Sequence, residues 1–216
     1  FQKPYARNRA EVEHWQLDNS NDINLLDVVR NAQPTVLIGC SAVPGAFSQA
    51  VVQAMAAACE RPIIFPLSNP TARVEAVPAD LVKWTDGKVI MATGSPFDDV
   101  EYAGKKIRVA QCNNAFVFPG LGLGVIASKA TRVTDAMITA ASNALSDCAP
   151  IIQDASQPLL PGFDQVHAVS KAIAVAVARV AMAEGVSQLD ADNDDIDAIV
   201  EALFWQPEYI PYQKIK

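Results

Sequence analysis

Few of the features that announce a function occur in this sequence. There are only two histidines, His14 and His167, and neither has a Cys or His at metal-ligand spacing or belongs to a recognisable Ser-His-Asp set. Both read as structural. Cys40, Cys59, Cys112 and Cys148 match no zinc or redox spacing and lie among apolar or small residues. They are expected to be reduced, buried thiols of a cytoplasmic protein. No uninterrupted apolar run reaches the roughly 20 residues that cross a bilayer. The stretch 165–183 comes nearest, but Gln165, His167, Ser170, Lys171 and Arg179 interrupt it, so no membrane partner is expected. Positive charge is also scarce: the net charge is −7, which argues against a broad nucleic-acid footprint. No internal repeat or low-complexity segment is found, and no signal peptide is expected. The chain begins with Phe1 rather than Met, as expected of a processed product, a separately expressed domain or one part of a longer polypeptide.

What is present is a chain of 216 residues, 50% hydrophobic and 19% charged, enough for one globular domain or for one and a piece of another. Residues 1–21 are polar and irregular. INLLDVVRNA (23–32) has helical spacing, with Asn21 or Asp22 as its expected cap. TVLIG (35–39), PIIFPL (62–67) and KVIMATG (88–94) are short continuous apolar runs and read as buried strands. KKIRVAQC (105–112) is expected to be a fourth. Helices are expected between them at 49–59 and 77–85, the latter with Pro78 in its first turn. Such strands, joined by helices, imply a parallel sheet in an α/β layer. Beyond residue 115 only helices are expected, at 133–148 with Thr134 as cap, at 164–185 ended by Gly185, and at 195–205. The tail QPEYIPYQKIK, rich in Pro and Tyr, is suited to lie on a partner subunit.

Ligands of open parallel sheets bind beyond the carboxyl ends of the strands. The four segments there are GCSAVPGAFS (39–48), SNPT (68–71), TGSPFDD (93–99) and the pair Asn113–Asn114. All are small, polar or Gly-containing, which lets a ligand approach the backbone and offers amide and hydroxyl partners. The amides of Asn69, Asn113 and Asn114 are expected to converge on one polar ligand. The competing reading is that each caps a turn or helix locally. GLGLG (120–124) looks like a dinucleotide fingerprint, but its spacing is G-x-G-x-G and no clear strand precedes it. It reads as close backbone packing at a helix start. DADNDDIDAIVE (190–201) mimics a calcium loop, yet Asp195 stands where that loop needs Gly. Acids crowding a helix N-terminus explain the run better. Binding groups are present; no general base or metal cluster emerges.

PLSNPTARVEAVPADLVKWTDGKVIMATGSPFDDV and AQCNNAFVFPGLGLGVIASKATRVTDAMITAASNAL closely resemble the C-terminal part of malic enzymes, and KPYA (3–6) and PTVLIGCSAVPGAF (34–47) fit the same family. The likeness is to bacterial NAD-dependent malic enzymes and covers nearly the whole chain. LSNPT, ATGSPF and NNAFVFPG in that order are its specific signal. The resemblance implies an α/β fold with a partial Rossmann-like parallel sheet, flanking helices and a helical C-terminal region. Residues 1–150 would be the C-terminal part of the NAD(P)-binding domain, and 151–216 would pack on it or on a partner subunit.

The implied reaction is oxidative decarboxylation of malate to pyruvate with reduction of NAD or NADP, assisted by Mg or Mn. Asn69 is similar to a residue that contacts cofactor and malate. Asn113 looks like a malate ligand close to the cofactor, and Asn114 belongs to the same site. Gly39, Ser41, Thr93, Gly94 and Ser95 would line the nicotinamide side. The family's catalytic Tyr and Lys, its three acidic metal ligands and its true G-x-G-x-x-G turn are expected upstream. No catalytic or metal-binding residue is therefore assigned here, and the isolated chain is expected to be inactive. Gln2, beside Lys3, occupies the place where NADP-preferring members tend to carry Lys, which favours NAD. A homo-oligomer is expected. Two other readings stay open: a stand-alone nucleotide-binding module without catalysis, and an oligomerisation or regulatory piece.

Overall fold

Three of the apolar runs fold as strands, β1 (Val36–Gly39), β2 (Ile63–Pro66) and β3 (Ile90–Thr93), in a computed structural model that describes residues 3–190, 194–206, 208–209 and 211–212. The expected single strand at 105–112 is instead divided. Val100–Tyr102 (β4) and Lys105–Ile107 (β5) form an antiparallel hairpin, and only Ala110–Gln111 (β6) joins the main sheet. The cause is local. Ala103 and Gly104 both take positive φ, 50° and 74°, as a tight hairpin turn requires. The main sheet is wholly parallel, in the order β1-β2-β3-β6. This order makes β1 an edge strand. Val36 and Ile38 are accordingly exposed, at 44% and 57%, where burial of both faces was expected.

The molecule divides into two compact units. The first, Phe1–Cys112 with Ser156–Leu159, contains the sheet and the helices α1 (Leu25–Ala32), α2 (Gln49–Ala58) and α3 (Pro78–Trp84). Asn24, rather than Asn21 or Asp22, caps α1. Its side chain accepts from Asp27 N at 2.9 Å while Asp27 accepts from Asn24 N, a reciprocal pairing that starts the helix later than its apolar spacing suggests. Ser48 caps α2, and Pro78 sits in the first turn of α3, where its missing N–H costs nothing. Val29, Val52, Met55, Ile64, Leu81, Val82 and Met91 fill the core.

The second unit, Asn113–Ala155 with Leu160–Lys216, is helical: α4 (Phe118–Ala127), α5 (Asp135–Asp147), α6 (Val166–Ala183) and α7 (Ile196–Leu203). Thr134 caps α5, and Gly185 lies just beyond α6 at φ 66°. By length and composition, Phe163–Ala183 is a continuous helical stretch of 21 residues apolar enough to cross a membrane, its polar residues notwithstanding. In this fold it is the centre of a bundle. Val169, Ile173 and Val177 are buried against α5, and Ala174 and Ala178 against α4 and α7.

GLGLG lies inside α4 rather than at its start. A Cβ on Gly120 would come within 2.6 Å of Ser170 O, and one on Gly124 within 2.7 Å of Ala174 O. Both glycines therefore exist to let α4 lie against the α6 backbone. The acidic run also has structural work. Asp195 caps α7, Asp197 pairs with Arg179 at 2.6 Å, and Glu201 pairs with Lys171 at 2.7 Å. Asp192 of the calcium-like pattern lies outside the described residues, as does Gln2. None of the cysteines is fully buried, contrary to expectation, and Cys40 is exposed because it follows β1 at the open end of the sheet. His167 packs edge-on against Phe204 with ring centres 5.4 Å apart.

Candidate ligand-binding edge of the parallel sheet

Parallel strands all end on the same side, so the first unit brings the segments after β1, β2 and β3, and Cys112 just past β6, to one edge. Main-chain bonds draw them together: Leu67 N donates to Gly39 O at 2.9 Å, Gly94 N to Pro66 O at 3.3 Å, and Cys112 N to Thr93 O at 2.8 Å. Gly94 is required at its place. A Cβ there would lie 2.1 Å from Leu67 O and 3.2 Å from Asn69 Nδ2. Thr93, Gly94 and Ser95 are all buried. Thr93 Oγ1 donates to Ser95 O at 2.8 Å, and Gln111 Nε2 donates to Gly94 O at 3.2 Å.

Asn69 is exposed, and its Oδ1 accepts a hydrogen bond from Ser95 Oγ. That contact orients the amide and presents Nδ2 as its donor end. Asn69 is not a helix cap; Pro70, joined to it by a cis peptide bond, occupies the cap position of the short turn Thr71–Arg73. Asn113 and Asn114 open the second unit. Asn113 Oδ1 accepts from Ala115 N at 2.9 Å and caps the short turn Asn114–Phe116, so the local capping reading holds for it. Asn114 is exposed.

The feature that dominates this edge is Glu75, which is 0% exposed. Its Oε1 accepts from Ser41 N at 2.7 Å, from Ser41 Oγ at 2.9 Å and from Ser68 Oγ at 2.5 Å; its Oε2 accepts from Ser68 N at 3.3 Å. Burial pushes this carboxyl up, but the donors of Ser68 and Ser41 together outweigh that and hold it below its ordinary value. Gly39 makes room for it: a Cβ there would meet Glu75 Cδ and Phe47 Cζ, each at 2.7 Å. Glu75 and Gln111 are thus part of this edge although no motif draws attention to them, and Ser68 joins it from within SNPT. The available signal was a single charge among apolar neighbours, Val74-Glu75-Ala76-Val77, just after SNPT.

Other groups offer less. A cavity of about 240 Å³ behind Glu75, lined by Phe47, Ser48, Thr71, Asp80 and Trp84, is smaller than the ~300 Å³ at which small-molecule pockets begin. Burial, and then the neighbouring Cys40, push the Cys112 thiol up, so it is not an activated nucleophile. Among the described residues, no three His, Cys, Asp or Glu side chains gather as a metal site.

Comparison with known proteins bears on the family and the fold. Residues 1–182 match the family model "Malic enzyme, NAD binding domain". The chain is 51% identical over 214 residues to the NAD-dependent malic enzymes of Shewanella sp. (strain MR-4) and Shewanella oneidensis, covering 99% of this chain and 38% of each relative. It therefore spans well under half the length of these curated relatives. Among solved structures, the malic enzyme of Entamoeba histolytica shares the fold at a TM-score of 0.66 and 24% identity, over 86% of this chain and 34% of that one. The malic enzyme of Pyrococcus horikoshii Ot3 is similar at a TM-score of 0.62 and 26% identity, over 82% of this chain and 36% of that one. With a parallel sheet, its small polar strand ends and a family match over most of its length, the chain belongs to the malic enzymes, through their NAD-binding domain.

Proposed function

We propose that this chain is the cofactor-side portion of an NAD-dependent malic enzyme, which oxidises and decarboxylates malate to pyruvate and CO2. The observation that carries the reading is the strand-end edge of the first unit, where Gly94 permits close backbone approach and Ser95 orients the Asn69 amide. Bound NAD supplies a hydride acceptor; the residues of this chain supply position. Asn69 directs its Nδ2 to a malate oxygen next to the nicotinamide, while Gly39, Ser41, Thr93, Gly94 and Ser95 form the wall on that side. By the family resemblance alone, Asn113 and Asn114 are further malate-contacting residues. Such contacts matter because small misplacements of reacting atoms cost about 10²-fold in rate. Mg or Mn belongs to the reaction by family resemblance. The described residues do not compose a site for either ion, so no step is assigned to a metal here.

The test is turnover followed by NADH absorbance. The natural polypeptide that carries this chain is expected to reduce NAD with malate, and Asn69→Ala to lower kcat/KM for malate by about 10²-fold. The isolated 216-residue chain is expected to show none. Malate-dependent NADH formation by that chain alone, or a natural polypeptide indifferent to malate, would refute the reading. Exposed Trp205, Tyr209 and Tyr212 support a subunit contact through the tail, which a concentration-dependent size measurement checks.

A further inference from the structure

Resting on that reading, we propose that Glu75 is a positioning residue for NAD: its buried carboxylate ties the segment after β1 to the segment after β2 and so fixes the wall on which the nicotinamide lies. The geometry is that of a clamp. One oxygen gathers three donors, from Ser41 N, Ser41 Oγ and Ser68 Oγ. The other takes Ser68 N, the residue immediately before Asn69. Ser68 Oγ passes the restraint on by accepting from Ala42 N at 2.9 Å. Ala42 sits at φ 55°, a left-handed conformation that costs an L-residue about 1 kcal/mol, which the ties from Glu75 and Ser68 help to offset. The main chain beside Glu75 adds two further ties to the same loop, Phe47 N to Glu75 O at 3.1 Å and Gly45 N to Val74 O at 3.4 Å.

A carboxylate suits this task because it only accepts, and every facing group donates. Glutamine has the same shape but turns one end into a donor. Placed here, it would set an N–H against Ser68 N–H or leave Ser41 and Ser68 competing for one oxygen. Glu75 does not touch the cofactor; it acts through Ser41 and through the segment that carries Asn69.

The test uses the natural polypeptide that carries this chain, with NAD as the titrant. Glu75→Gln is expected to raise KM for NAD about tenfold, the effect of one buried donor left unpaired. Amide exchange is expected to accelerate at Ser41, Ala42 and Ser68 while the core of α2 and β3 keeps its protection. A purely structural role would lower the folded fraction, reducing kcat and leaving KM unchanged, and that result would overturn the proposal. Unchanged KM with unchanged exchange would overturn it equally. Should Glu75→Gln fail to fold, Ser68→Ala removes one clamp donor alone; it is expected to raise KM for NAD about threefold, and an unaltered KM would overturn the proposal. If the unsubstituted polypeptide does not bind NAD in calorimetry, the functional reading itself fails, and the proposal with it.

Discussion

The two units of this molecule use glycine for the same physical purpose and with opposite meaning. In the first, Gly39 and Gly94 stand at strand ends and make room for a buried carboxylate and for the Leu67 carbonyl. In the second, Gly120 and Gly124 stand inside a helix and make room for the backbone of α6. The second pair looks more like a nucleotide motif, because it is dense and regular. The first pair is isolated and easily passed over. Density of glycine therefore signals close approach in general, and only the partner at the point of approach says whether the approach concerns a ligand edge or a packed core.

The strongest way to break this comparison is Gly94→Ala. Its new Cβ would stand 2.1 Å from Leu67 O, and neither backbone can give way without disturbing β2 and β3. The substitution is expected to cost about 3 kcal/mol in chemical denaturation and to abolish NAD binding in calorimetry. If Gly94→Ala retained both, the edge would be looser than its contacts imply.

Much of the first unit was legible because its signals are local. Apolar runs gave β1, β2 and β3, Pro78 marked the start of α3, and the requirement that parallel strands end together brought 39–48, 68–71 and 93–99 to one edge. The misses have physical causes. The 105–112 run was read as one strand because Val and Ile outweighed the two-residue turn immediately before it, at Ala103–Gly104. β1 was read as buried on both faces, but sequence does not say which strand lies at the edge. Glu75 escaped notice because its partners lie 34 and 7 residues away, and a lone carboxylate in an apolar stretch has no periodic signature. Asn113 could be read either as a cap or as a ligand group, and the fold gives its Oδ1 to the cap.

Acid offers the next comparison, since among the described residues the buried carboxylates, Asp27 and Glu75, both lie in the first unit. The Glu75 carboxyl is held below its ordinary value of 4.5, so its folded form prefers the deprotonated state. The stabilisation is fully present above that value and is lost as pH falls through the lowered one. Against Glu75→Gln, the natural residue is expected to be more stable at neutral pH by an amount on the order of 2 kcal/mol, as for a hydrogen-bonded charge. That gap should hold down to about pH 4.5 and then close as the solution becomes more acidic. Denaturation midpoints measured at several pH values would show it; a gap that widened below 4.5 would contradict the deprotonated assignment.

The smallest effects sharpen the contrast within GLGLG itself. Replacing a helical glycine by alanine gains about 1 kcal/mol of intrinsic helix preference, so the sign of each change depends on what the new methyl meets. At Gly124 it meets Ala174 O at 2.7 Å and Val177 Cβ at 2.8 Å. The displaced contact with α6 outweighs the gain, and Gly124→Ala is expected to lose about 1–2 kcal/mol. At Gly122 a methyl meets nothing within 4 Å. Gly122→Ala is therefore expected to gain about 0.5–1 kcal/mol. Thermal denaturation of the two variants separates packing from composition, because the residue type and the helix are the same and only the neighbour differs. Destabilisation by both would mean that the outer face of α4 is also covered; stabilisation by both would mean that α4 can move off α6 at little cost, and the reading of this glycine run as a helix-packing device would fall.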